Sequence, residues 1–385
     1  MFGHVYTGRR VFVTGHTGFK GSWLTAWLLR LGAEVAGFSD GVPTTPSHYD
    51  VLGLADSILD RRGDVRDRAG LGKAMRDFRP EIVFHLAAQP LVRAAYADPA
   101  ATIETNALGT LNLLEAVRAT PSVQAVVCIT SDKAYRNDEQ VWGYRENDHL
   151  GGADPYSASK GCAEIIAHSY FASFFGTGPR CATTRAGNVI GGGDWAADRI
   201  VPDCARAWFA GEAAEIRSPA ATRPWQHVLE PLSGYLLLGA RLFASPAEDG
   251  EAGRRGFFAS FPLAGEAFNF GPSADAAQTV ADVTRALQEA WPGFATRMNP
   301  AAACGMKEST LLKLCCDKAL AYLNWRATLD FDLTMRFTAA WYAAYRQSTA
   351  GENIDMAAFT QRQIDAYCQL ARRAGQEWSS DAIRY

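Results

Sequence analysis

At 385 residues the chain is long enough for two domains, or for one large domain with insertions. Hydrophobic residues make up 48% and charged residues 21%, the balance of a globular chain with ample core. The formal net charge is −3 and no run of lysine and arginine occurs, which excludes a general affinity for nucleic acid or another polyanion. The eight cysteines (128, 162, 181, 204, 304, 315, 316 and 368) form no Cys-x-x-Cys pair and have no matching histidine spacing. Neither a disulfide framework nor a metal site is expected from them. The N-terminus MFGHVYTGRR lacks the apolar core of a signal peptide, and no apolar run approaches the ~18 residues of a membrane span. A cytoplasmic protein with reduced thiols is expected.

In chain order, Arg10–Thr14 is a short β-branched run ending at Gly15 and reads as a buried strand. From Ser22 the apolar residues Trp23, Leu24, Trp27, Leu28 and Leu31 follow helical spacing, stopped by Gly32. Glu34–Phe38 is a second strand, and Arg61–Val65 marks a third. A helix over Ala69–Phe78 and a fourth strand over Glu81–Leu86 follow. Next come a long helix over Pro99–Ala119, a fifth strand over Ala125–Thr130, a helix over Ser157–Phe175 and a sixth strand over Cys181–Arg185. Such alternation gives βαβ units and an α/β fold with a doubly wound parallel sheet. After Gly191-Gly192-Gly193 the alternation degrades, although 226–243 and 267–270 are expected to return to the sheet region. The expected division is a dinucleotide-binding domain over 1–188 with those returning segments, a smaller α/β substrate domain over 189–330, and C-terminal helices over 331–385, around Met335–Tyr345 and Met356–Arg373.

The segment Gly15-His16-Thr17-Gly18-Phe19-Lys20-Gly21 is a G-x-x-G-x-x-G loop between a strand and a helix. Glycines let the backbone approach a pyrophosphate, and the helix start supplies N–H donors. Gly15, Thr17, Gly18, Phe19 and Gly21 are therefore cofactor candidates, with a plain strand–helix turn as the bland reading. Asp40, at the end of the second strand, suits a ribose 2′-hydroxyl and repels a 2′-phosphate, which favours NAD over NADP. Asp64 and Val65 follow the third strand; Asp64 either contacts adenine or is a solvated turn residue. The small residues of Leu86-Ala87-Ala88 let a cofactor lie across the sheet's carboxyl edge. Asn106 reads as a helix-interior polar group held by backbone, or as a catalytic one.

Tyr156 and Lys160 lie four apart on a helix and share a face. An ammonium beside a phenol lowers its pKa and equips it to take a proton from an alcohol. Upstream, Ser131-Asp132-Lys133 adds an acid and an amine, suggesting more than plain oxidation. The bland alternatives are an ordinary helix pair at 156 and 160 and an inert Asp132–Lys133 contact. His85 and His149 are tempting as bases, but His85 ends a strand and suits a satisfied core position.

The stretches VTGHTGFKGSWL, HLAAQPLVRAAY, NALGTLNLLEAVR, TSDKAYRN, VWGYRENDHLGG, DPYSASKGCAE, RAGNVIGGGDW and RPWQHVLEPLSGYLLL resemble the extended short-chain dehydrogenase/reductase superfamily. Within it they are similar to the CDP-glucose 4,6-dehydratase branch. The resemblance runs from residue 13 to about 238, with a weaker match in KESTLLKLCCDKALAYLNW. Related dehydratases more often carry Asp-Glu where this chain has Asp132-Lys133, a departure that fits this branch.

The resemblance implies a Rossmann fold, NAD retained as a catalytic cofactor, a CDP-glucose substrate, deoxysugar biosynthesis serving lipopolysaccharide O-antigen, and no membrane partner. It implies that Tyr156 takes the O4 proton while C4 is oxidised, with Lys160 supporting it and Ser131 orienting O4. Lys133 is the candidate base at C5, for which it must be neutral; Asp132, protonated, would release O6 as water, or else only position Lys133. The family's substrate contacts fall on Arg185, Asn188, Arg199, Arg217, Arg223 and His227, with Gln89 and Arg93 near the hexose or diphosphate. The helix after Tyr156 is apolar on more than one face, and with the helix around Ala107–Val117 it gives the family's four-helix homodimer interface (or a dimer of dimers). Burial under the C-terminal helices is the alternative. A nucleotide-sugar 4-epimerase or reductase would share Tyr156 and Lys160 but needs no acid–base pair at C5 and O6.

Overall fold

The computed structural model describes residues 1–176, 178–244, 263–273, 278–299 and 312–380. Cys304 and residues 307–311 of the weaker C-terminal stretch lie outside them. Seven strands form one parallel sheet: β1 (Arg10–Thr14), β2 (Glu34–Ser39), β3 (Leu59–Arg62), β4 (Ile82–His85), β5 (Ala125–Ile129), β6 (Arg180–Ala186) and β7 (Ala267–Phe270). Their order is β7-β6-β5-β4-β1-β2-β3. The order reverses between β1 and β4, and that switch point opens a crevice at the carboxyl ends of the strands.

Apart from the exposed edge strand β3, the strands are buried on both faces, and alternate residues serve opposite cores. Val11, Val13, Ile82, Phe84, Val127 and Ile129 join the core built on α1 (Phe19–Arg30) and α5 (Leu229–Ala244). Phe12, Val83, Val126 and Cys128 join the other, which gathers α2 (Arg68–Phe78), α3 (Gly109–Arg118) and α4 (Pro155–Phe174). The C-terminal helices α6 (Phe331–Thr349) and α7 (Met356–Arg373) pack on the α1 side through Trp341, Tyr342 and Tyr367. The smaller half contains a helix over Ile200–Ala210, another over Val280–Ala290, and short strand pairs: 213–216 with 295–298, 222–223 with 278–279, and 226–227 with 189–190.

Several expectations need correction. The third strand stops at Arg62, not Val65. Gly63 turns the chain where a Cβ would stand 2.5 Å from the Phe38 ring. Residues 226–243 do not add a strand to the main sheet; 229–244 form α5, which covers it. The long helix over 99–119 is interrupted by a π-turn at Glu104–Leu108, and α1 begins at Phe19, three residues before Ser22. A further helix at Val92–Ala97 had no periodic signal strong enough to read.

Arg185, expected among the substrate contacts, sits in the core, paired with Glu164. Its Nε and Nη2 donate to the two Glu164 oxygens at 2.8 and 3.0 Å, and both side chains are about 3–4% exposed. Nη1 donates to the Glu146 carbonyl, and the guanidinium lies 4.6 Å from the Tyr135 ring centre. Thr130 and Thr183 complete the shell around Glu164. The pair rivets α4 to β6, and its guanidinium holds the Glu164 carboxyl below the usual range despite burial. Breaking it strands a buried carboxylate. Arg185→Met should therefore lose about 3–5 kcal/mol of stability, read as a lower midpoint in urea unfolding; an unchanged midpoint would refute the assignment.

Candidate active site

The glycine loop leaves β1 and enters α1. Gly15 has φ +73°, and a Cβ there would stand 2.7 Å from the Ala87 nitrogen and 2.8 Å from the Leu86 carbonyl carbon. A Cβ on Gly21 would stand 2.0 Å from the Gly15 oxygen. Gly18 is the N-cap of α1, where no side chain caps the helix. A side chain on Gly18 would meet only the Gly15 oxygen, at 3.4 Å, so its absence leaves open space in front of the helix start. Uncapped N–H donors facing such space suit a pyrophosphate.

The other cofactor candidates follow the carboxyl ends of β2, β3 and β4. Leu86, Ala87 and Ala88 follow β4, held by Leu86 N–H to the Thr14 carbonyl and Ala87 N–H to Thr14 Oγ1. Asp40 is exposed at the end of β2. Thr17 Oγ1 donates to the Gly41 carbonyl at 2.6 Å, tying the loop to that strand end. Asp64 accepts from Arg66 N–H at 2.8 Å and pairs with its guanidinium, and so builds the turn after β3; Val65 is buried beside it. Arg62 and Arg66 are matched by Asp60 and Asp64.

Tyr156 and Lys160 stand on the first turns of α4, whose start is fixed by Asp154 accepting from Ser157 N–H and by Pro155. Asn106, on the π-turn, donates to Ser159 Oγ at 2.8 Å and to the Gln89 carbonyl at 3.1 Å. A wider turn at 104–108 thus anchors the helix that carries the pair. Ser131 caps the short turn Asp132–Ala134 after β5 and donates to Asp132 Oδ1 at 2.9 Å.

Burial governs the electrostatics. It pushes the Tyr156 hydroxyl up to about 12, against the pull of Ser131 and Arg199. It raises the Asp132 carboxyl against Lys133, Ser131 and Lys20. It lowers the Lys160 ammonium to about 8, with Lys20 adding repulsion. Lys133 is half-buried at the rim. His85 is fully engaged, with Thr14 Oγ1 at 2.7 Å and Thr110 Oγ1 at 3.1 Å, and burial keeps it neutral, its pKa lowered to about 3. His149 is exposed.

The substrate candidates divide. Asn188 is exposed just past β6, and Arg199, paired with Asp194 at 2.9 Å, acts electrostatically on Tyr156. Arg93 and Arg217 converge on Asp198 at 2.7 and 3.5 Å. Arg223 bonds the Thr222 carbonyl. A cleft lined by Gly187, Pro224, Gly271, Pro272, Ser273, Lys313 and Leu314 lies beside Asp132, since a Cβ on Gly187 would stand 3.3 Å from Asp132 Oδ2.

Two candidates are held within the fold. His227 is buried at 0% among Trp23 and Phe337, with its pKa lowered to about 3. Its string RPWQHV reads as polar, yet the aromatic core encloses it. Gln89 accepts from Leu91 N–H and donates to Thr102 Oγ1, so its carboxamide shapes the loop after β4. Sequence reasoning missed Lys20 and the 312–316 segment. Lys20 was hidden as a filler of the glycine motif, and the segment lacked periodicity.

Residues 11–248 match the NAD dependent epimerase/dehydratase family. The chain belongs to this family. It is 43% identical over 379 residues to the CDP-glucose 4,6-dehydratase of Salmonella typhimurium, across 96% of this chain and 98% of that one. Among solved structures it resembles Thermus thermophilus UDP-glucose 4-epimerase in complex with NAD, with a TM-score of 0.71, 27% identity, and coverage of 87% and 99% of the two chains. The dTDP-glucose 4,6-dehydratase of Bacillus anthracis in complex with NAD shares the fold, with a TM-score of 0.68, 18% identity, and coverage of 88% and 98%. The glycine cradle and uncapped α1 start fit the NAD of the family's name.

Since the Gly21 Cβ has no space, Gly21→Ala must displace the loop. NAD affinity should fall at least about tenfold, a 1.4 kcal/mol loss, with the far-ultraviolet circular dichroism retained. Unchanged affinity in calorimetry would contradict the cradle.

Proposed function

We propose that this chain dehydrates CDP-D-glucose to CDP-4-keto-6-deoxy-D-glucose, acting as a lyase with NAD as catalytic cofactor. The observation that carries the reading is the convergence of Tyr156, Lys160, Ser131 and a buried Asp132 of raised pKa at the carboxyl edge of the sheet, beyond β5. An acid whose proton desolvation holds more tightly, beside an oxidising centre, suits loss of water, and simple oxidation or 4-epimerisation has no use for it. The 43% identical relative named as a CDP-glucose 4,6-dehydratase supports the nucleotide and the sugar.

When bound, NAD supplies a hydride acceptor at C4 and a donor at C6, and its positive ring favours a phenolate at Tyr156. Tyr156 takes the O4 proton, with Ser131 positioning O4 and Lys160 supporting the phenolate. Lys133 removes the proton from C5, acidified by the C4 ketone. Asp132 gives its proton to O6, so that water leaves. Gly15, Thr17, Gly18, Phe19 and Gly21 frame the pyrophosphate, Asp40 the ribose, and Asp64 and Val65 the adenine. Asn188, Arg199, Arg217 and Arg223, with Arg93, stand toward the nucleotide sugar. Residues 1–188, with 226–244 and 267–270, make the NAD half; 189–330 make mainly the substrate half; 331–385 brace them. The chain works in the cytoplasm, in deoxysugar biosynthesis of the kind that feeds an O-antigen.

A homodimer through α3 and α4 completes the reading. Ala163, Ala167 and Phe171 of α4 face the core, whereas Ile165 and Phe174 are 61% and 50% exposed. Ile103 and Leu108, just ahead of α3, are 42% and 48% exposed. The C-terminal helices pack on the opposite side of the sheet and do not cover this apolar face.

Purified protein should convert CDP-glucose, in preference to dTDP-, UDP- and GDP-glucose, to a 4-keto-6-deoxy sugar; a C4 epimer as the sole product would overturn the assignment. Tyr156→Phe should slow C4 oxidation by about 10²–10⁴-fold, and Lys133→Met should abolish deuterium uptake at C5 while oxidation survives. Persistence of that uptake would remove Lys133 as the base. Phe174→Glu should turn a dimer into a monomer by light scattering, and a dimer that persists would refute the interface.

A further inference from the structure

The turn that carries Ser131, Asp132 and Lys133 is pinned at both ends. On its near side, Thr130 N–H donates to the Thr184 carbonyl at 2.9 Å, which keeps the end of β5 on β6. On its far side Tyr135 closes the turn, its N–H donating to the Asp132 carbonyl at 3.2 Å. Backbone bonds of 2.8 Å, from Gly151 to Ala134 and from Arg136 to His149, tie this end to the segment ahead of α4. The Tyr135 phenol reaches the other way and donates to Asn269 Oδ1 on β7 at 2.8 Å. Tyr135 and Asn269 are 1% and 0% exposed, surroundings in which such a bond is strong.

Asn269 joins β7 to three other segments. Its Oδ1 takes the phenol, and its Nδ2 donates to the Tyr144 carbonyl at 2.9 Å and to the Cys315 carbonyl at 3.1 Å. Its backbone N–H donates to Glu146 Oε1 at 2.8 Å. A carboxamide suits this place because it offers an acceptor and two donors in one plane. A carboxylate of the same shape would lose both donations and face two carbonyl oxygens. Asn269 lies two residues before Gly271, and Cys315 follows Leu314; Gly271 and Leu314 both line the cleft beside Asp132. One buried side chain therefore joins the acid–base turn to the lining of that cleft.

We propose that Asn269 is a positioning residue of the dehydration step, which holds the Asp132–Lys133 turn in register with the cleft beside it through Tyr135. This rests on the dehydratase reading. In that step the Asp132 O–H bond breaks as its proton goes to O6, and the C6–O6 bond breaks. The C5 proton passes to Lys133, and the electron pair it leaves becomes the C5–C6 double bond. Two groups on one short turn must meet O6 and the C5 hydrogen of one hexose together, and a misplacement of about 1 Å costs about a hundredfold. C4 oxidation makes no such demand on the far end of the turn. Tyr156 and Lys160 stand on α4, which Asn106 and the Glu164–Arg185 pair anchor separately, and Ser131 sits at the end that β6 holds.

Two variants cut this link on opposite sides. Tyr135→Phe removes the bond from the turn but leaves the ring stacked on Tyr144, with 5.2 Å between centres, and beside the Arg185 guanidinium. Asn269→Asp keeps an acceptor for the phenol and removes the donors to the carbonyls of residues 144 and 315. In single turnovers with CDP-glucose, C4 oxidation, read as NADH absorbance, should rise in both variants at close to the wild-type rate. The decay of that absorbance, which waits on water loss, should slow about tenfold in Tyr135→Phe and about a hundredfold in Asn269→Asp. Deuterium uptake at C5 should slow with it. A purely structural role would lower the midpoint of urea unfolding yet keep the wild-type ratio of the two rates. An unchanged ratio in a variant with wild-type circular dichroism, whether both rates hold or both fall together, would overturn the positioning role. If the wild type forms no 4-keto-6-deoxy sugar, the dehydratase reading itself fails, an outcome seen before any substitution is made.

Discussion

Desolvation at the carboxyl edge of the sheet is the constraint on which the site depends. A phenol, two lysines and a carboxyl group share a small region where water is scarce. Burial penalises every charged form, so the phenol and the acid hold their protons more tightly and the lysines hold theirs less tightly. Each group would have an ordinary pKa at the surface and little use in a proton relay. The energetic burden of burying them is met by the fold around them, not by pairing within the cluster.

That fold concentrates its rigidity next to the cluster. One helix, α4, begins with Asp154 and Pro155, presents Tyr156 and Lys160 one turn apart, and is then fixed by Glu164 to Arg185 on β6. A second anchor comes from the π-turn, where Asn106 reaches Ser159. Facing α4, the turn after β5 carries Ser131, Asp132 and Lys133 without a loop long enough to wander. The segment after it is held by Tyr135 to Asn269 at 2.8 Å and by Asn269 to the Tyr144 carbonyl, tying the site's outer wall to β7. Rigid support of this kind keeps Tyr156, Lys160 and the Ser131–Lys133 turn in register.

The parts that follow local physics were legible in the sequence. Runs such as Arg10–Thr14 and Ala125–Ile129 declare buried strands, and the glycine spacing at 15, 18 and 21 declares a turn into a helix. Tyr156 and Lys160 are tied by helical period alone. What stayed hidden depends on distant neighbours. Arg185 looked like a free cation because its carboxylate partner lies 21 residues earlier on another element. His227 looked polar because the aromatic rings of residues 23 and 337 surround it only after folding. The π-turn leaves no periodic signature, since one extra residue within a continuous helix shifts the pattern without ending it.

The central claim is that the hydrogen on C4 of a bound hexose leaves that carbon and returns to the same molecule at C6, under the control of Tyr156 and Asp132. The most direct measurement follows CDP-glucose carrying deuterium at C4 through a single turnover with the purified protein in ordinary water. The account predicts a 4-keto-6-deoxy product with the deuterium at C6 and one solvent proton at C5. Product that has lost the label to solvent, or label that remains at C4, would contradict it.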